Sequence, residues 1–160
     1  MSASRKLLLF GGLALAIVGM VYGLVYAVLV EHQTLDGLGG SLTTAFVRSA
    51  ERDLPAAQSS LETYARNAYV YVRQVDTHSH WIGLAMILMV LGIAFDNVGL
   101  GEGWKLGLAL LMLGGALVFP MGVLMQTWMS GALPKVLASA GAAAVTLGMA
   151  GTAWGFSRAQ

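Results

Sequence analysis

The chain has 160 residues, of which 57% are apolar and 11% are charged, and its net charge is +1. A soluble domain averages about 25% charged residues, so this composition is typical of a chain solvated by lipid. The low net charge argues against a nucleic-acid partner. Because the chain contains no cysteine, it cannot supply disulfides, cysteine-ligated iron–sulfur clusters or thiol catalysis.

The first apolar run covers residues 7–30 and carries no charge. At about 1.5 Å per residue, its 24 residues reach ~36 Å, which is enough to cross a bilayer. Arg5 and Lys6 would also suit the basic start of a signal peptide, but the apolar run exceeds the ~7–15 residues usual there. We therefore predict an uncleaved first span at residues 7–30.

Residues 31–76 are polar and predict an amphipathic helical loop outside the membrane. Residues 36–40 are typical of a turn. We expect Ser41 to be the N-cap of a short helix through Ala50, and Asp53 to be the N-cap of the next helix. We expect that next helix to lie on the membrane surface or against a partner, or to run on into the second span. Its apolar residues recur at helical spacing: Leu61, Ala65, Ala68, Tyr69 and Val72.

Three further spans are predicted at residues 77–96, 104–128 and 133–156. The second is extended back to residue 77 because a crossing needs about 20 residues. Tryptophan prefers the bilayer interface, and all four tryptophans lie at the ends of apolar runs: Trp81 and Trp128 at one face, Trp104 and Trp154 at the other. The chain is therefore predicted to be an all-α integral membrane protein, a single four-helix membrane domain over residues 1–160.

Four spans place both termini on the same face of the membrane. Arg5 and Lys6 precede the first span and no basic residue follows until Arg48, which favours cytoplasmic termini in a bacterial inner membrane, with residues 31–76 outside. Glycines four residues apart are typical of closely packed helices, as in Gly19 with Gly23 and Gly151 with Gly155. We expect these pairs to pack inside the monomer, with a homo-oligomer through the glycine-rich spans as the alternative.

The predicted topology brings all three histidines to the loop face. His32 follows the first span, His78 and His80 precede Trp81, and the third span ends there. Imidazole and thioether groups suit haem iron and copper. The candidate cofactor ligands are His32, His78, His80, Met121 and Met125.

Only one of His78 and His80 can face a given metal, because residues two apart point about 200° away from each other on a helix. We expect His80 to face inward, since Asp76, four residues earlier, could accept its Nδ1–H and orient the ring. His78 would then face a partner, the loop or the headgroups. Tyr26 and Gln126 lie in the same layer and could support the ligands by hydrogen bonds.

The stretch Asp76-Thr-His-Ser-His80-Trp-Ile-Gly resembles small bacterial membrane proteins with His-x-His at the start of a span, a group that includes relatives of respiratory subunits. We therefore expect a subunit of a redox or respiratory membrane assembly that is not an enzyme on its own. It would hold haem b, or contact the cofactor of a membrane or periplasmic partner. The alternatives are a structural or assembly protein without a cofactor, and a copper-handling membrane protein.

Overall fold

Five α-helices make up the protein in a computed structural model that describes residues 1–158. Helices α1, α3, α4 and α5 are each long and apolar enough to cross a membrane, which confirms the predicted all-helical chain with four long apolar segments. A short 3-10 turn, Phe95–Asn97, joins α3 to α4. The helices are α1 (Ala3–Leu29), α2 (Glu31–Ala50), α3 (Leu54–Ala94), α4 (Glu102–Met125) and α5 (Ala132–Ser157).

Helix α2 is continuous through residues 36–40, where the sequence predicted a turn. Ser41 is not an N-cap; its hydroxyl donates to the carbonyl oxygens of Gly37 at 2.8 Å and Leu38 at 3.0 Å, inside the helix. Glycine lowers helix propensity, but tertiary packing routinely overrides propensity. That packing is close here, because a methyl group on Gly37 would lie 3.4 Å from the side-chain nitrogen of Asn67 on α3.

Helix α3 begins as predicted and then runs on into the second apolar segment without a break. The Asp53 carboxylate accepts a hydrogen bond from the Ala56 N–H at 3.3 Å, and proline occupies the first turn. The helix has 41 residues, or about 62 Å, roughly twice the ~30 Å apolar thickness of a bilayer. The expectation that the loop helix continues into the second span is confirmed.

One face of α3 is covered along its whole length, by α2 over the first half and by α1 over the second. Its residues are spaced alternately by three and four, which is the spacing of a left-handed helix pair. All are buried or half-buried. We call this face the inner seam; it consists of Ala57, Ser60, Tyr64, Asn67, Tyr71, Gln74, His78, Trp81, Ala85, Leu88 and Gly92.

The paired glycines pack inside the monomer, as expected. A methyl group on Gly19 would lie 3.1 Å from the Trp81 Cβ on α3, and one on Gly151 would lie 2.7 Å from Leu108 on α4. Helices α4 and α5 also approach closely at Gly115 and Gly141, where a methyl group on Gly115 would lie 2.7 Å from the Gly141 carbonyl oxygen. The apolar core lies where α1, α3, α4 and α5 meet.

Three of the four tryptophans are exposed at the helix ends, as an interfacial role requires: Trp104, Trp128 and Trp154. Trp81 is different, because only 4% of its surface is accessible. Its ring packs edge-on against Tyr22 of α1, with 5.3 Å between the centroids. Its position on the inner seam turns Trp81 into the core, so its ring is not exposed as those of the other three tryptophans are.

Candidate functional site

The three histidines have three different sets of neighbours. The His32 side chain is 88% exposed, and its Nε2 lies 3.4 Å from the carboxylate of Asp36 on the same helix. The His78 Nδ1 lies 3.0 Å from the carbonyl oxygen of Gly19 on α1. The His80 ring packs on Phe119 of α4, with 4.5 Å between centroids. Phe119 therefore occupies the side of His80 that faces α4.

His78 faces α1, and not a partner, the loop or the headgroups as the sequence suggested. A carbonyl oxygen only accepts hydrogen bonds, so the Nδ1 of His78 carries a hydrogen in this contact, and the tautomer with this hydrogen has its lone pair on Nε2. Gly23 makes room for the imidazole, because a methyl group there would overlap the ring. The His78 ring thus packs against the glycine pair of α1, Gly19 and Gly23.

Two of the three residues expected to support a cofactor, Asp76 and Gln126, are engaged elsewhere. The Asp76 carboxylate lies 3.7 Å from the Arg73 guanidinium, and within residues 1–158 no hydrogen bond joins Asp76 to His80. Gln126 accepts from the Tyr69 hydroxyl at 3.1 Å and donates to its own helix. Tyr26 is buried, and its hydroxyl has no hydrogen-bond partner in the part of the chain that the structure describes.

The two methionines differ in exposure. Met121 is exposed, and Met125 is half-buried as the last residue of α4, which ends three residues before the predicted end of the third span. Among the residues described, no group of three or more histidine, aspartate or glutamate side chains is arranged to hold a metal ion. A haem or copper site built from the histidine and methionine set therefore stays a prediction.

Helix α2 and the first half of α3 form an antiparallel hairpin that extends beyond the other helices. Tyr69 contacts Gln126 at the end of α4. The 15 residues of α3 that precede Tyr69 therefore reach about 22 Å past that end. The turn at the tip contains Arg52 with a positive φ of 62°, followed by the N-cap Asp53.

A second face of α3 remains uncovered on this hairpin. Its residues are again spaced alternately by four and three, and six of the seven are apolar. Leu54 is 67% exposed and Leu61 is 48% exposed. We call this face the outer seam; it consists of Leu54, Gln58, Leu61, Ala65, Ala68, Val72 and Val75.

The composition of the two seams explains why α2 does not cover the apolar stripe that the sequence predicted on α3. The inner seam of the hairpin is mostly polar, with Ser60, Tyr64 and Asn67 facing α2. The outer seam holds the larger aliphatic side chains, and nothing in the described chain covers them. Phe46 near the end of α2 is 69% exposed and enlarges this apolar surface near the tip. Contiguous exposed apolar surface of this kind marks interaction sites.

No family model, curated protein or solved structure matches this chain. The outer seam is an apolar face on the hairpin that intramolecular packing leaves unused.

A polar cluster at the opposite end of the bundle was missing from the sequence prediction. Asp96, in the turn after α3, accepts from the Ser2 hydroxyl at 2.5 Å and from the Arg5 guanidinium at 2.8 Å. Lys105 is nearly buried and donates to the Asp96 carbonyl oxygen at 3.0 Å. Glu102 accepts from the Ser4 N–H at 2.9 Å.

The sequence did contain a signal for this cluster. In an antiparallel helix pair, the start of the first span lies beside the end of the second. Opposite charges at those two points, Arg5 and Asp96, were therefore candidates for an ion pair. The cluster fastens the start of α1 to the turn between α3 and α4, which is a structural role.

Proposed function

We propose that this protein is a non-catalytic membrane subunit that binds a helix of a partner protein along the outer seam. Helices α1, α3, α4 and α5 would anchor it in the bilayer, with the α2–α3 hairpin standing in the aqueous phase. Support for the anchoring comes from their length, their apolar composition and the exposed aliphatic side chains along them. In a bacterium, the anchor would be the inner membrane, with both termini in the cytoplasm.

The observation that carries this proposal is the exposure of a regular apolar seam on the first half of α3, before the apolar half of that helix. Alternating spacings of three and four are those by which one helix receives another. Burying one leucine or valine is worth about 1.5–3 kcal/mol, so Leu54, Leu61, Val72 and Val75 together offer a substantial driving force. Their chemistry fits a helix with its own apolar stripe better than an extended strand, because α3 presents no free backbone groups.

Site-specific crosslinking tests the proposal, because the chain has no cysteine and each introduced thiol is unique. We would place a thiol-linked photoreactive group at Leu54→Cys, Leu61→Cys or Val72→Cys and map the crosslinked peptides from native membranes. The expected result is one helix of one partner, with attachment points spaced like the three seam positions. Ser59→Cys is the matched control, since it is exposed on α3 and points about 160° away from Leu61.

Three outcomes would overturn the proposal. Attachment points scattered over many proteins would show a merely sticky surface, and attachment to lipid would show that the hairpin lies on the membrane. A product with twice the mass of the chain would show that the seam pairs with a second copy. Equal crosslinking of the partner from Ser59→Cys and from the seam positions would show that binding is not specific to the outer seam.

A redox subunit is the second candidate, and the orientation of His78 favours it. A histidine that donates from one ring nitrogen to a backbone carbonyl keeps the other nitrogen available to a metal, which is the usual arrangement of metal-ligating histidine. In this proposal His78 takes the role that the sequence gave to His80, with haem b or copper as the cofactor. A Soret band in the purified protein that is lost in His78→Ala and kept in His32→Ala would support it; a colourless, metal-free protein would contradict it.

A further inference from the structure

We infer that a crevice between α3, α4 and α5 binds the phosphate headgroup of an acidic phospholipid. Helix α4 lies between the other two helices and forms the floor, with Phe119 and Val123. The volume of the cavity is about 350 Å³. Arg73 of α3 and Lys135 of α5 line it from opposite sides, and Gln126 and Ser139 add polar groups.

The crevice carries more positive than negative charge. Arg73 has a single carboxylate neighbour, Asp76, at 3.7 Å, and its guanidinium carbon lies 5.1 Å from the centre of the Tyr69 ring. Its Nε–H is buried and has no hydrogen-bond partner among residues 1–158. In the same described part of the chain, Lys135 has no carboxylate within 4.0 Å. The cavity therefore offers two cations to an anion.

The depth of the crevice fits a lipid headgroup. Arg73 lies just before the apolar half of α3, and Lys135 lies in the first turn of α5. Both cations thus lie where apolar helices begin, at the loop end of the bundle. A phosphate placed there would interact with arginine and lysine, which are the side chains that proteins use for phosphate.

The rest of the lining favours a lipid over a free phosphate ion. Phe119, Val123, Ala138 and Ala142 make the wall below the cations apolar. An acyl chain can lie along such a wall, whereas inorganic phosphate gains nothing from it. Helices α3 and α5 both pack on α4, and the crevice between them is open and can admit a chain from the side.

Lipid retention measured by native mass spectrometry tests this inference on the full, delipidated chain. We would titrate it with phosphatidylglycerol, with phosphatidylcholine of the same acyl chains, and with glycerol phosphate, which has no acyl chain. We expect phosphatidylglycerol to bind more tightly than the other two. Arg73→Gln with Lys135→Gln should weaken its binding about 25-fold, because each cation near a membrane surface contributes roughly a fivefold gain.

The matched control is Arg48→Gln with Arg66→Gln, which removes the same charge from the hairpin and should leave lipid affinity unchanged. Retention of melting temperature in both double variants shows that folding is intact, and Arg73→Lys with Lys135→Arg keeps the charge if folding fails. Equal affinity for the two lipids, an unchanged affinity in the crevice variant or equal binding of glycerol phosphate would each overturn the inference. No partner protein enters this experiment, so its outcome is independent of the outer seam.

Discussion

The imidazole of His78 on α3 bonds the backbone of α1, with its Nδ1 3.0 Å from the carbonyl oxygen of Gly19. One helical turn further along α1, Gly23 lies under the same ring. A polar side chain therefore enters an interface of apolar helices, and it does so where two glycines leave the backbone accessible. The contact fixes the register of α3 against α1, because a shift by one residue would move the ring off both glycines.

We expect Gly23→Ala to destabilise the fold, because the added methyl group overlaps the His78 imidazole. Overpacking of this kind costs about 1–3 kcal/mol. Gly83→Ala is the matched control: it lies on α3 with nothing within 4 Å of the added methyl group, so its melting temperature in detergent should not fall. The double variant Gly23→Ala with His78→Ala should recover part of the loss. Equal melting temperatures for Gly23→Ala and Gly83→Ala would contradict the packing described.

The surroundings of His78 show which features of the fold can be predicted from the sequence and which cannot. Apolar runs and the Asp53 cap predicted four long helices and the start of α3, because composition and local capping are visible in one chain. The polar inner seam was not predicted, since Tyr64, Asn67 and Gln74 do not form an apolar stripe. Sequence periodicity found the apolar stripe of α3, but only the packed structure shows that α2 covers a different face, about 100° around the helix.

The three histidines have different neighbours for a related reason. Topology predicts which residues share a depth in the membrane, and it placed His32, His78 and His80 at one end. It does not predict the direction in which each side chain points around its helix. That direction depends on packing, here on Gly19 and Gly23 for His78 and on Phe119 for His80.

Adjacent glycines on α4 provide a second test of the helix packing. Gly115 faces α5, and a methyl group there would lie 2.7 Å from the Gly141 carbonyl oxygen, whereas Gly114 has nothing within 4 Å. Backbone atoms cannot move aside as a side-chain tip can, so Gly115→Ala should cost at least about 2 kcal/mol. Thermal unfolding should show a large loss for Gly115→Ala and little change for Gly114→Ala. The reverse order would mean that α4 packs through its other face.

The ion pair between Arg5 and Asp96 should contribute a salt-sensitive coupling. Both side chains are part-exposed, and such pairs are weakened by screening. We expect Arg5→Gln and Asp96→Asn each to lower the melting temperature, and the double variant to lose less than the sum. Lys6→Gln, exposed on the same helix turn, is the control and should be neutral. A coupling of the same size at about 0.1 M and about 1 M salt would contradict an electrostatic origin.

At the tip of the hairpin, the backbone conformation determines whether a glycine substitution raises or lowers stability. Arg52 adopts a φ of 62°, which costs a side-chain-bearing residue roughly 1–2 kcal/mol relative to glycine, so Arg52→Gly should stabilise the turn. Arg66→Gly removes the same side chain from the exposed middle of α3 and should destabilise that helix by about 1 kcal/mol. Hydrogen exchange of the backbone amides in residues 45–66 should therefore slow in the first variant and quicken in the second. If hydrogen exchange changed in the same direction in both variants, the contacts of the Arg52 side chain, and not its backbone conformation, would determine the stability of the turn.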